Sequence, residues 1–114
     1  MLSQKLRGIL SICRKAGKME IGFALMKEAL PTGRVRSVVT TSDISPKTMK
    51  EVQFYCQKAN VPVCSLSLTM EDLGGAIGRK AAVAAILDAG FSDRISQLCS
   101  EAQTGAAQQS EQEV

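Results

Sequence analysis

The stretch that decides the fold is KAGKMEIGFALMK, residues 15–27. Gly17 follows Arg14 and Lys15, and basic residues followed by glycine are typical of a helix C-terminus. A second helix is predicted to begin near Gly22, where unpaired N–H groups and the positive end of the helix dipole favour a phosphate. We interpret the stretch as a glycine-flanked basic loop that joins two helices and recognises an anion. Two ordinary helix caps joined by a short connection explain the same residues, so spacing alone leaves both interpretations open.

Apolar periodicity on both sides of this stretch predicts alternating helices and strands. Helical spacing predicts a basic amphipathic helix over residues 4–16 and a second helix over 22–30. Short β-branched or apolar runs predict buried strands at residues 37–41, 61–66 and 81–87. Further helices are expected over residues 46–60, 69–78 and 90–102. This alternation predicts an α/β layered sandwich with helices on both faces of a sheet.

Two of the predicted helices begin with specific signals. Ser45 can cap the helix that follows it, and Pro46 suits the first helical turn. Thr69 lies three residues before Asp72, which resembles a capping box. These signals fix where the third and fourth helices start.

The composition predicts one domain followed by a different tail. A chain of 114 residues can bury a single core. Apolar periodicity stops near residue 103, so residues 1–102 are predicted to form one domain and residues 103–114 a disordered, acidic tail rich in Gln and Glu. Residues 1–100 hold all 14 basic residues and eight of the 11 acidic ones. Their net charge of +6 favours an anionic partner, although a solvated basic surface accounts for it as well.

Several kinds of chemistry are disfavoured by what the sequence lacks. The chain has no His, so Ser-His-Asp and Cys-His catalysis are excluded, and its four Cys are too dispersed to suggest a metal site. We therefore predict no enzyme activity, no cofactor, no metal and reduced core thiols. With three Phe, one Tyr and no Trp, contact with nucleic acid is expected through phosphates and backbone amides rather than an aromatic platform. No run of residues suggests a membrane span or a signal peptide, which predicts a cytoplasmic protein.

The order of several motifs resembles the kink-turn RNA-binding ribosomal protein superfamily, and most closely its small bacterial branch. The resemblance begins at Lys15–Lys18 and Gly22 and covers nearly everything before the tail. It continues through Ala29-Leu30, Gly33–Val35, Asp43–Lys47, Asn60–Val63, Leu73–Gly78 and Val83–Phe91. The resemblance implies a three-layer α-β-α sandwich with a central mixed sheet of about four strands.

The resemblance also implies a partner and a site. Members bind kink-turn or related RNA through the N-terminus of helix 2 and the loop before the last strand, here residues 17–22 and 77–82. Both loops are therefore expected on the same edge of the sheet. The expected partner is structured RNA, such as ribosomal RNA or the ribosome. No association with a membrane is expected, and the oligomeric state is left open. Together with the basic residues nearby, the candidate RNA-binding residues are Gly17, Lys18, Gly22, Lys27, Arg34, Arg79 and Lys80.

The sequence departs from the family at the residues that read bases. Members that bind kink-turns carry an Asn-Glu pair two and three residues after the glycine and a Lys three residues beyond the Glu. The matching positions are Ala24, Leu25 and Glu28. Shape and phosphate recognition is retained better than base recognition. Two hypotheses follow: a non-catalytic RNA-binding protein, or a protein-interaction module on the same fold that has lost kink-turn recognition.

Overall fold

The computed structural model describes the backbone of residues 2–112 and the side chains of residues 4–100. Five helices and four strands are assigned in this part of the chain. In chain order they are α1 (Leu2–Lys15), β1 (Met19–Ile21), α2 (Phe23–Ala29), β2 (Ser37–Thr40), α3 (Pro46–Lys58), β3 (Val63–Ser65), α4 (Met70–Ile77), β4 (Val83–Ile86) and α5 (Ala89–Gln112). A single 3₁₀ turn, Leu30–Thr32, follows α2.

The four strands form one mixed sheet in the order β1-β4-β2-β3. Strand β4 lies between β1 and β2 and is antiparallel to both, whereas β2 and β3 are parallel. The pairing of β1 with β4 places Met19 opposite Ile86 and Ile21 opposite Ala84. This register determines which loops share an end of the sheet.

Helices cover both faces of the sheet, which confirms the predicted three-layer α-β-α sandwich. The alternation along β4 shows the division, because Ala84 and Ile86 pack with α1, α4 and α5, whereas Val83 and Ala85 pack with α2 and α3. All four of these side chains are buried. Both faces of the central strands are therefore core, which explains why every residue of β2 and β4 is buried without alternation.

The two helix starts predicted from local signals are confirmed. The Ser45 hydroxyl accepts a hydrogen bond from the Thr48 N–H at 3.2 Å, and Pro46 opens α3. Thr69 and Asp72 form a reciprocal capping box at the start of α4. Helix α4 ends at Gly78 in the left-handed conformation, as its predicted end near that residue requires.

The stretch that joins α1 and α2 differs from the predicted loop. Residues 19–21 form strand β1, with Met19 and Ile21 buried and Glu20 half-buried between them. A three-residue strand is too short for its alternation to stand out from a loop, and it forms because β4 provides a partner. The other predicted strands shorten at their ends, and α2 changes to a 3₁₀ turn at Leu30.

The C-terminal boundary stays a prediction. Helix α5 is assigned as far as Gln112, beyond the predicted domain end at residue 102. The side chains after Ser100 lie outside the described residues, so the predicted disorder of 103–114 is not tested.

Candidate nucleic-acid interface

Gly22 lies at the end of β1 and caps the N-terminus of α2. Its backbone adopts φ 100° and ψ 158°, a conformation that is essentially restricted to glycine. The Gly22 N–H donates to the Val83 carbonyl at 2.8 Å, and its own carbonyl accepts from the Met26 N–H at 3.0 Å. Within the described part of the chain, no side chain caps this helix start. The start of α2 is thus fixed against the first residue of β4 with its leading amides free for a ligand.

The loop before β4 is held at the same place. Gly74 in α4 makes this packing possible, because a Cβ there would lie 3.3 Å from the Lys80 Cα. The loop ends where the Ala82 carbonyl accepts from the Thr41 N–H at 3.0 Å. Arg79 and Lys80 are exposed at its outer side. The backbone of the loop is thereby fixed while its two cations project into solvent.

A carboxylate lies beside these cations, and sequence reasoning assigned it no role at this site. Asp43 follows β2 and accepts a hydrogen bond from the Met70 N–H at 3.0 Å. Desolvation raises the pKa of the Asp43 carboxyl. Hydrogen-bond donors and the charge of Lys80 lower it by more than desolvation raises it, so the pKa lies below its ordinary value of 3.8. Asp43 offsets part of the positive charge of Lys80.

These contacts define one end of the sheet, which we call the Gly22 edge. It comprises Gly22 and the segments 41–45, 66–69 and 78–82, since Ser42 also bonds to Leu68 through an N–H to carbonyl bond of 2.8 Å. The expectation that the start of helix 2 and the loop before the last strand share an edge is met by Gly22, Arg79 and Lys80.

Gly17 and Lys18 lie at the opposite end, contrary to the prediction that the whole loop 17–22 shares an edge with residues 78–80. The Lys18 carbonyl accepts from the Leu87 N–H at 2.9 Å, and Leu87 follows the last residue of β4. The intervening strand β1 separates Lys18 from Gly22 by roughly 13 Å. The physical reason is the antiparallel pairing of β1 with β4, which sends the two ends of the stretch to opposite ends of the sheet.

Arg34 joins Gly17 and Lys18 at this second end. It lines a cleft of about 230 Å³ together with Leu87 and Glu28. The neighbouring Arg36 N–H donates to the Ile86 carbonyl at 2.8 Å. We call residues 17–18, 34–36 and Leu87 the Lys18 edge.

Lys27 belongs to neither edge. Its Nζ lies 4.9 Å from the centroid of the Tyr55 ring, a cation–π contact between α2 and α3. The adjoining cleft of about 360 Å³ is lined by Lys27, Leu30, Pro31, Tyr55, Lys58 and Ala59. The predicted site residues therefore fall into three groups, of which only Gly22, Arg79 and Lys80 lie together at the Gly22 edge.

The three positions that differ from the kink-turn pattern lie on the surface of α2. Ala24 and Glu28 are exposed, and Leu25 is 37% exposed. Leu25 and Glu28 also line the cleft that contains Arg34. Polar side chains could therefore occupy these positions without entering the core.

The residues that the structure describes include neither a membrane-spanning helix nor a metal-binding cluster. None of the helices there combines the length and the apolar character needed to cross a membrane. The same part of the chain holds no group of three or more Cys, Asp or Glu arranged to bind a metal ion.

The fold and the site define a class: a small α-β-α sandwich in which the start of the second helix abuts the loop before the last strand. Residues 4–96 match the model of the Ribosomal protein L7Ae/L30e/S12e/Gadd45 family. The chain belongs to this family.

Relatives by sequence include large ribosomal subunit proteins eL30. That of Trypanosoma brucei brucei is 33% identical over 86 residues, covering 74% of this chain and 82% of the relative. The eL30 of Aeropyrum pernix is 28% identical over 90 residues, and the match covers 77% of this chain and 89% of the relative.

Solved structures share the fold. A protein of unknown function from Bacillus halodurans matches with a TM-score of 0.79 and 28% identity, covering 84% of this chain and 97% of that one. The Giardia lamblia 15.5kD RNA binding protein matches with a TM-score of 0.70 and 16% identity, and the match covers 90% of this chain and 88% of that one. Each is a likeness of fold, which the sequence resemblance had predicted.

Proposed function

We propose that this protein is a non-catalytic, ribosomal-protein-like RNA-binding protein of the cytoplasm that recognises structured RNA through the Gly22 edge. Family membership carries the proposal, because the family includes ribosomal proteins and the relatives of this chain are proteins of the large ribosomal subunit. The hydrogen bond from Gly22 to Val83 supports the location, since it holds the start of α2 next to the residue that directly follows the loop 77–82, and the resemblance assigns RNA contact to both. Ribosomal RNA or the assembled ribosome is the proposed class of partner.

The geometry favours recognition of backbone shape over reading of bases. The first amides of α2 and the positive end of its dipole suit a phosphate, and Arg79 and Lys80 project beside them. The hydrogen bond from the Thr41 N–H to the Ala82 carbonyl holds the backbone of the loop 78–82 in place behind these cations. Ala24 and Leu25 cannot hydrogen-bond base edges, and Glu28 repels phosphate, so specificity for a standard kink-turn is reduced.

Two charge-matched double variants test the location. Arg79→Ala/Lys80→Ala removes two cations from the Gly22 edge, and Lys18→Ala/Arg34→Ala removes two from the Lys18 edge. The probes are a standard kink-turn RNA, a hairpin of the same length and the RNA retained by the tagged full chain. Affinity is measured between about 50 and 300 mM salt. We expect the first variant to weaken binding and to reduce the salt slope by about 2, one for each lost phosphate contact.

The control variant should change affinity and slope much less. Equal losses in both variants would mean that RNA contacts the chain through charge alone, without a preferred edge. A larger loss at Lys18 and Arg34 would move the interface to the opposite end.

A protein-interaction module on the same fold is the second candidate. It is favoured by the exposed Leu25 beside Glu28, where kink-turn binders carry polar and basic residues. A folded wild type that binds none of the RNA probes at low salt, and retains no RNA above a mock control, would favour this candidate and contradict the first.

A further inference from the structure

The four cysteines differ in their surroundings, and the side chains of Cys64 and Cys99 are hydrogen-bonded to each other. All four are free thiols. Cys64 lies on β3, one of the two edge strands of the sheet, and is half-buried, whereas Cys99 is buried on α5. Cys64 packs against the core cluster that contains Cys99. Cys64 is therefore the thiol of this pair that reaches solvent.

Ser96 shows which face of α5 meets Cys64. The Cys64 Sγ lies 3.4 Å from the Ser96 Oγ. Ser96 precedes Cys99 by three residues, and helical residues at this spacing share a face. The face of α5 that contacts Cys64 thus presents a hydroxyl and a second thiol.

We propose that Cys64 and Cys99 form a site of reversible covalent modification, at which hydrogen peroxide converts the two thiols into a disulfide that joins β3 to α5. The Cys64 thiolate attacks one peroxide oxygen, the O–O bond breaks, and the departing hydroxide takes a proton to leave as water. The Cys99 sulfur then attacks the Cys64 sulfenic acid, and its proton leaves with the hydroxyl as a second water. One hydrogen peroxide is reduced to two waters, and two thiols are oxidised to one disulfide.

The surroundings of the two sulfurs assign their roles. Hydrogen bonding from Cys99, and from Ser96, lowers the pKa of the Cys64 thiol despite its partial burial. The same hydrogen bond and burial raise the pKa of Cys99. Cys64 is thus the attacking thiolate, and Cys99 stays protonated until the sulfenic acid forms.

Cys13 and Cys56 provide internal controls. Both are buried in the core, and burial raises the pKa of each thiol to about 11. The Cys13 thiol also donates to the Lys18 carbonyl at 3.4 Å. These two cysteines are expected to react slowly under the same conditions.

The test exposes the reduced full chain to a small molar excess of hydrogen peroxide, quenches it with catalase and alkylates the remaining thiols after denaturation. Intact mass and peptide mapping follow each cysteine. We expect Cys64 to be lost at least about tenfold faster than Cys13 or Cys56, with a Cys64–Cys99 cross-linked peptide as product. Dithiothreitol should restore four alkylatable thiols.

Two variants separate the steps. Cys99→Ser should stop the reaction at a Cys64 sulfenic acid that dimedone traps, and Cys64→Ser should abolish the fast phase. Cys13→Ser should leave the reaction unchanged. Peptide mapping of the wild type needs no variant, so the proposal can be tested even if a variant fails to fold. Oxidation of all four cysteines at similar rates, or a cross-link between another pair, would overturn the proposal.

Discussion

The two ends of the central sheet differ in what surrounds their basic side chains. At the Lys18 edge, exposed cations such as Lys18 and Arg34 are accompanied by a cleft containing Glu28. At the Gly22 edge there are fewer cations, but three loops and a helix start converge and are hydrogen-bonded to each other. A count of charges would favour the Lys18 edge. Fixed backbone groups favour the Gly22 edge, because a rigid surface distinguishes folded RNA by shape, whereas charge alone attracts any RNA.

The largest expected effect comes from adding base recognition along α2, the helix that starts at the Gly22 edge and whose Leu25 and Glu28 line the cleft of the Lys18 edge. The change Ala24→Asn/Leu25→Glu/Glu28→Lys supplies two polar readers and replaces an anion by a cation. If the wild type lacks only these groups, affinity for a standard kink-turn should rise by about 3 kcal/mol, roughly a hundredfold. The measurement is a titration of labelled kink-turn RNA, with the plain hairpin as its control.

The partial exposure of Leu25 makes this variant practicable, because the side chain is 37% exposed and belongs to neither core cluster. Thermal unfolding verifies that the variant is folded. Tight binding by the wild type with no gain in the variant would show that the protein reads RNA through another surface, and would break the comparison between the edges.

The two positive-φ glycines of the stretch 15–27 give the next effect. Gly22 has φ 100° and ψ 158°, a region almost closed to other residues, whereas Gly17 has φ 72°, close to the left-handed helical region. A Cβ at either position meets no atom within 4 Å, so backbone conformation alone sets the cost.

We therefore expect Gly22→Ala to lower the free energy of unfolding by about 3 kcal/mol and Gly17→Ala by about 1 kcal/mol. Urea denaturation of both variants measures the difference. Equal costs would mean that the end of β1 relaxes easily, and the Gly22 edge would then not be the more rigid of the two.

Local signals made much of this fold predictable. Ser45, Thr69 and Asp72 act within three residues of their partners, so the starts of α3 and α4 follow from the sequence. Strand β1 has no such signal. Its identity depends on β4, more than 60 residues away along the chain, and the same pairing places Lys18 and Gly22 at opposite ends.

The candidate site was predictable only where its parts are local. Arg79 and Lys80 follow the glycine that ends α4, so their place in an exposed loop could be read from the sequence. Asp43 reaches Met70 across 27 positions, and nothing in the sequence around Asp43 indicates that it lies beside Lys80. Long-range pairing of this kind needs the tertiary structure.

The smallest predicted effect concerns Asp43, which distinguishes the Gly22 edge from a plain basic surface. Its pKa is lowered in the folded protein, so its ionised form contributes stability at pH values above the ordinary pKa of 3.8, and that contribution is lost as the pH falls through the lower folded value. Asp43→Asn should remove this acidic segment of the stability profile while changing stability at neutral pH only slightly, because the carboxylate is exposed.

The same variant tests the electrostatics of the edge at neutral pH. Removing the carboxylate leaves the charge of Lys80 unopposed, so RNA affinity should rise by a factor of about two to five and the salt slope should steepen slightly. Asp93→Asn, on the exposed surface of α5, is the matched control and should leave both unchanged. A loss of affinity in Asp43→Asn would instead indicate that Asp43 matters by holding the start of α4, and hence the loop 78–82, in position for RNA. In that case the melting temperature would fall together with the RNA affinity. The electrostatic effect, by contrast, raises the affinity and leaves the melting temperature unchanged.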